Sequence, residues 1–253
     1  MDEQNNRFLV SLLSCSVHAF RFGHWGSMFR FSKHRLCCGA PRLRLPAAGE
    51  GSLGAFSFQG GFQMSTLNGN RIELSFVEEK DAPALLKLER SNKDFFRLYS
   101  GTKNDQFYTL EAQEVRIAGA MKQREQDQGY HLLIRPRGAS EVIGTIALSG
   151  VARGSLQSAW LGYMLDREHN GKGLMTEAVQ LIVPYAFGEL DLHRLEAGVM
   201  PHNEGSIRVL TKAGFQKEGL ARKNVRINGR WEDHVTLAIV REEPEEGQQS
   251  AED

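Results

Sequence analysis

Residues 158–166, Ser-Ala-Trp-Leu-Gly-Tyr-Met-Leu-Asp, constrain the fold more than any other segment. The run is largely apolar, as expected of a strand buried on both faces of a sheet. The glycine-rich turn Asn170-Gly-Lys-Gly173 follows it. Beyond the turn, Leu174, Ala178, Leu181, Ile182 and Tyr185 fall on one helical stripe. A buried strand, a tight turn and an amphipathic helix begin a crossover connection, which joins parallel strands. The chain therefore calls for an α/β sheet with parallel pairing at its centre.

The flanking pattern fills in the rest. Ile72, Leu74 and Phe76 alternate with polar residues and predict a strand over 71–77. A helix carrying Ala84, Leu85 and Leu88 on one face opens near Pro83, which suits a first turn. A second helix is expected over 109–126, with Thr109 as N-cap and Ala112, Val115 and Ala118 at helical spacing. Strands are expected over 130–135, 141–149 and 193–200, and a helix over 203–212 that Gly214 stops. Pro184 is expected to kink the helix it sits in. Strands over 216–227 and 230–240 flank Asn228-Gly229, a strong hairpin-turn signal.

Composition divides the chain. Cys15, Cys37 and Cys38 all lie in the first 63 residues, a region rich in Arg, His, Phe and Gly without sustained periodicity. Residues 1–63 are expected to be a poorly ordered leader. The Met64-Ser-Thr sequence resembles a natural start, and a targeting segment is the alternative. His34 beside Cys37-Cys38 lacks a second ligand pair at zinc-finger spacing. Residues 64–241 form the folded domain in this reading, and 242–253 an acidic disordered tail. The cysteine-free domain fits a reducing cytoplasm. With 41% hydrophobic and 25% charged residues and a formal net charge of zero, the chain reads as a globular protein. It has neither a field for nucleic acid nor an apolar span for a membrane, and either a monomer or a homodimer is compatible.

The turn at 170–173 has the makings of a phosphate cradle, because glycines let backbone N–H groups approach an anion at a helix start. It is not a nucleotide P-loop, since Gly173 follows Lys172 where Ser or Thr is required. Only two of the three dinucleotide-fingerprint glycines are present. On its own the turn could be simply a tight turn.

Four blocks in order settle its context: Leu161-Gly-Tyr-Met-Leu-Asp166, Gly171-Lys-Gly-Leu-Met-Thr-Glu-Ala178, Leu192-His-Arg-Leu-Glu196, and Pro201-His-Asn-Glu-Gly-Ser-Ile-Arg-Val-Leu210 with Ala213-Gly-Phe215. Over residues 71–240 the chain resembles the GNAT superfamily of N-acetyltransferases, in particular its ribosomal-protein N-terminal acetyltransferase (RimJ/RimL-like) branch. It departs at Glu168, where the superfamily often carries Gln or Arg. The resemblance implies a mixed central sheet with splayed parallel strands and flanking helices, and acetyl-CoA as co-substrate without a metal. It places Met164, Leu165 and Asp166 along the pantetheine arm. Asn170, Gly171, Lys172, Gly173, Leu174, Met175 and Thr176 fall around the pyrophosphate, and Asn203 and Ser206 near the thioester.

The chemistry asks for an amine, an oxyanion donor near Leu165 and a proton for the departing sulfur. Ser206 is the candidate acid; Asn203, one turn earlier on the same face, doubles as an N-cap. Glu196, mid-strand between Leu195 and Ala197, is the candidate base, with an ion pair to Arg194 as its alternative role and Glu232 and Asp233 as alternative bases. His193, His202 and His234 read as ordinary surface or core residues. No Gly-x-Ser-x-Gly or His-Glu-x-x-His pattern occurs, so direct transfer is the simplest route. An α-amine, with a pKa of about 7.7–8.0, needs less base than a lysine near 10.4. The acceptor expected is a peptide or protein N-terminus, such as that of a ribosomal protein. A small-amine (polyamine or aminoglycoside) acetyltransferase and a non-catalytic acyl-CoA-binding domain are the alternatives, and the choice rests with the loops at 99–109 and 150–156.

Overall fold

The computed structural model describes residues 66–242; the leader, with its cysteines, and the acidic tail lie outside them, apart from Glu242. The described elements are β1 (Thr66–Asn68), β2 (Ile72–Phe76), α1 (Ala82–Ser91), α2 (Lys93–Ser100), α3 (Leu110–Glu125), β3 (Gly129–Pro136), β4 (Gly144–Ala152), β5 (Ser158–Leu165), α4 (Leu174–Gly188), β6 (Arg194–Val199), α5 (Glu204–Lys212), β7 (Gln216–Ile227) and β8 (Arg230–Val240). They build one mixed sheet in the order β1-β2-β3-β4-β5-β6-β8-β7. Pairing is antiparallel except between β5 and β6. No described helix is long and apolar enough to cross a membrane.

Period-2 alternation explains the layering. Leu132 and Ile134 join the cluster that packs α4 and α5, while Leu133, between them, joins the cluster of α1 and α3 on the other face. The final hairpin occupies the anticipated residues, and Asn228 and Gly229 take φ of 48° and 82°, as a primed turn requires. Helix α4 continues through Pro184 to Gly188.

Four features differ from the sequence expectation. Strand β1 and helix α2 are additional; α2 follows α1 with only Asn92 between them, so their apolar patterns merge in the sequence. On α3, Val115 is 70% exposed and Ala118 is also exposed, while Gln113 and Ile117 are buried. The Gln113 amide donates to the Phe107 carbonyl and accepts from Arg116, which lets a polar side chain occupy the inner face. Strand β5 is not buried on both faces: Ala159, Leu161 and Leu165 are buried, Trp160, Gly162, Tyr163 and Met164 are half-buried, and the residues from Trp160 to Leu165 border an opening. Strand β4 extends to Ala152, into the stretch expected to be a loop.

Candidate active site

The opening arises where the parallel strands part. Ser158, Ala159 and Trp160 pair with Arg194, Leu195 and Glu196, and no pairing follows although both strands continue. A cleft of about 1070 Å³ runs through the gap. Of the anticipated site residues, all but Asp166, Lys172 and Glu196 line it.

Backbone alternation decides which strand groups face the gap. The Asp166 N–H donates to the Ile143 carbonyl of the β4 side at 2.8 Å. Antiparallel alternation therefore turns Asp166 and Met164 toward β4, and turns the N–H and C=O of Tyr163 and Leu165 into the gap. Of the three expected backbone contacts, Leu165 alone has free groups on the correct side. The Asp166 carboxylate is also committed: it accepts from the Glu168 N–H at 2.8 Å and from Asn92 Nδ2 at 2.8 Å. Buried Asn92 also accepts from the Arg167 N–H at 2.9 Å, which fixes the end of β5 against α1.

The glycine turn is built as a cradle. Gly171 and Gly173 adopt φ of 75° and 76°, a region that side chains with a Cβ avoid. Gly173 is the N-cap of α4 and offers no side-chain cap, so the first-turn N–H groups keep free hydrogens. The first of these to find a backbone carbonyl is that of Glu177, which reaches Gly173. Nothing lies within 4 Å of a Cβ built on Gly171. An uncapped helix start with open space before it suits a phosphate. The Lys172 side chain is exposed.

Arg71, absent from the sequence-derived site, holds this turn. Its Nη1 donates to the Lys172 carbonyl at 2.8 Å and its Nε to Glu177 at 2.9 Å, while its backbone N–H reaches the other Glu177 oxygen at 2.8 Å. Burial would raise the Glu177 carboxyl, but these Arg71 contacts outweigh it and keep it below the ordinary carboxylate value. The partners lie far apart in sequence, and no local pattern could pair them.

Helix α5 brings the remaining pieces. Asn203 caps it, Oδ1 accepting from the Ser206 N–H at 3.2 Å. Ser206 Oγ lies 2.8 Å from the Tyr163 hydroxyl, which crosses from β5 to α5. Burial pushes the Tyr163 phenol well above its ordinary range, so it stays protonated at physiological pH. Tyr163 was not singled out from the sequence, where it reads as one more apolar strand residue. Glu196 accepts from Arg194 at 3.0 and 2.9 Å, and Arg194 also pairs with Glu218. That ion pair explains a carboxylate in mid-sheet, and it lies outside the cleft lining. Asp233 accepts from the Lys223 N–H at 2.7 Å, and neither it nor Glu232 lines the cleft.

Comparisons with known proteins agree with this architecture. A family model described as an acetyltransferase (GNAT) domain matches residues 71–216. The probable N-acetyltransferase YjcK of Bacillus subtilis (strain 168) is 52% identical over 180 residues, spanning 71% of this chain and 99% of that protein. The crystal structure of a ribosomal-protein-S5-alanine acetyltransferase from Vibrio fischeri superposes with a TM-score of 0.66 at 27% identity, covering 69% of this chain and 96% of that one. Mycobacterium smegmatis RimJ, solved in complex with CoA-disulfide, gives a TM-score of 0.64 at 26% identity, covering 67% of this chain and 81% of that one. The domain match extends from the Arg71 anchor through the cradle to the start of β7, and the chain belongs to the GNAT family of acetyltransferases.

Proposed function

We propose that this acetyltransferase moves the acetyl group of acetyl-CoA onto the α-amino group of a protein N-terminus, with ribosomal proteins as the leading substrate class. The observation that carries the acceptor class is the charge of the cleft. Among the described residues its lining holds Arg167, Arg208, Lys212 and Arg226 and a single carboxylate, Glu204, itself paired with Arg208. A polyamine or aminoglycoside carries several positive charges and needs opposing carboxylates. A peptide end carries one amine and needs none once that amine is neutral. The likeness to ribosomal-protein acetyltransferases points the same way.

The co-substrate supplies an activated thioester carbonyl. In this reading the gap-facing N–H of Leu165 holds the carbonyl oxygen, and the N–H groups after Gly171 hold the pyrophosphate. A nitrogen–carbon bond forms as the carbon–sulfur bond breaks. Ser206 Oγ, held by Tyr163, passes its proton to the sulfur. Asn203 orients Ser206 through the helix cap.

Mass spectrometry on peptides with a free N-terminus and internal lysines, with spermidine in competition, tests the acceptor. Acetyl groups are expected on the N-terminus, with Ser or Ala favoured as first residue. Acetylation chiefly of lysine or of spermidine contradicts the proposal.

A further inference from the structure

Glu196 is tied to Arg194 outside the cleft, so the proton of the acceptor must go to another group. Among the described residues the lining holds one carboxylate and three imidazoles, the groups suited to general-base work: Glu204, His169, His202 and His234. Glu204 is exposed and bonded to Arg208 at 3.0 Å. His169 precedes the glycine turn, at the cradle end of the cleft, with Asp166 3.8 Å away. His202 is exposed on the turn before α5, stacked at 6.3 Å on Tyr99.

His234 differs from the other three. It is 7% exposed, yet it borders the cleft. The β6–β8 register pairs Val199 with Val235, so the next rung sets His234 beside Met200, at the end of β6. Counting on from the last parallel pair, Trp160 with Glu196, Met164 falls on that same rung across the gap. His234 therefore lies level with the part of β5 whose Leu165 N–H faces the opening. Its ring packs over Gly198, where an added Cβ would stand 3.7 Å from Cδ2. Gly198 carries no side chain to cover the ring. His234 Nδ1 lies 3.3 Å from the Glu232 carbonyl. A carbonyl can only accept, so Nδ1 carries the hydrogen and Nε2 keeps its lone pair.

We infer that His234 is the general base, its Nε2 taking the proton from the acceptor ammonium. The inference rests on the α-amine transfer proposed above. Two protons leave the nitrogen in the full reaction. The first goes to Nε2 and on to water, which generates the neutral amine. The second leaves as the amide forms and passes through water to Ser206, which restores the hydroxyl that gave its proton to sulfur. Tyr163 and Ser206 serve the leaving group, and His234 serves the acceptor.

The test uses the full chain with His234→Ala and His234→Asn; the asparagine amide can still donate to the Glu232 carbonyl and cannot act as a base. Turnover of a Ser-initiated peptide is expected to fall about 100-fold or more in both, with acetyl-CoA affinity by calorimetry unchanged. Added imidazole should restore part of the rate to His234→Ala. The deficit should shrink for an alkoxyamine-tipped peptide, whose nitrogen is already neutral. Undiminished turnover, or an equal deficit with both acceptors and no imidazole rescue, overturns the assignment. A His234→Ala protein that no longer binds acetyl-CoA leaves His234→Asn to decide by the two-acceptor comparison. A wild-type protein that acetylates no α-amine contradicts the proposed function itself, separately from the role of His234.

Discussion

Replacing Arg71 by alanine should loosen the cradle without dismantling the sheet. Arg71 is 54% exposed, so its ion pair with Glu177 is worth only about 0.5–1 kcal/mol. The bond from Nη1 to the Lys172 carbonyl adds roughly 1 kcal/mol. Glu177 is not orphaned in the variant, because the backbone N–H of residue 71 still reaches it at 2.8 Å. The sum, about 1.5–2 kcal/mol, falls mainly on the turn that the guanidinium clamps. If the cofactor must restore that order on binding, its Kd rises about 10- to 30-fold. Titration calorimetry with CoA measures this directly. Arg71→Lys keeps a cation for Glu177 and loses the fork to Lys172, so it should fall between. A Kd within twofold of wild type for Arg71→Ala would refute the reasoning, whatever happened to the melting temperature.

Three further outcomes are expected. Gly171→Ala and Gly171→Asp share the strain of φ 75°, about 1–2 kcal/mol, so any extra loss of CoA affinity in the aspartate variant reports charge and bulk in the cradle; equal affinities would place the pyrophosphate elsewhere. Ser206→Ala should lower kcat about tenfold or more with little change in the KM for peptide, in assays where chemistry limits the rate; an unchanged kcat there makes Ser206 structural. Burial holds His131 down from 6.5 to about 4, so between these values the unfolded chain binds a proton that the native state refuses. Stability should therefore fall, by up to roughly 3 kcal/mol, as pH drops from about 6.5 to about 4 and level off below; thermal melts of His131→Gln should lose that slope, and an identical slope contradicts the assignment.

The parts that were legible in the sequence are those decided locally. Asn228-Gly229 sets its own turn, and the arms on either side pair from Ile227 with Arg230 outward. Gly171 and Gly173 announce a backbone that other residues avoid. The N-cap of α5 is likewise written in Asn203 and the residues after it. Tertiary partners decided the rest. The clamp of Arg71 on Glu177 and Lys172 joins distant segments. Which of Met164, Leu165 and Asp166 faces the gap depends on the register with β4, because a shift of one residue would exchange them. Gln113 displaces Val115 from the inner face of α3 because Phe107 and Arg116 satisfy its amide. For Glu196 the sequence leaves both a base and an ion pair with Arg194 open, and the side chains form the pair; His234 reads as ordinary until the strands part and leave it bordering the cleft.

The claim on which the account depends is that CoA lies in the gap between β5 and β6 with its phosphates on the glycine turn. Residue-resolved amide hydrogen exchange, with and without CoA, tests it. Exchange should slow at Leu165 and at Gly171 through Met175, with little change at the far strands β1 and β2. Protection that spares Leu165 and the turn, or concentrates on β1 and β2, would contradict it.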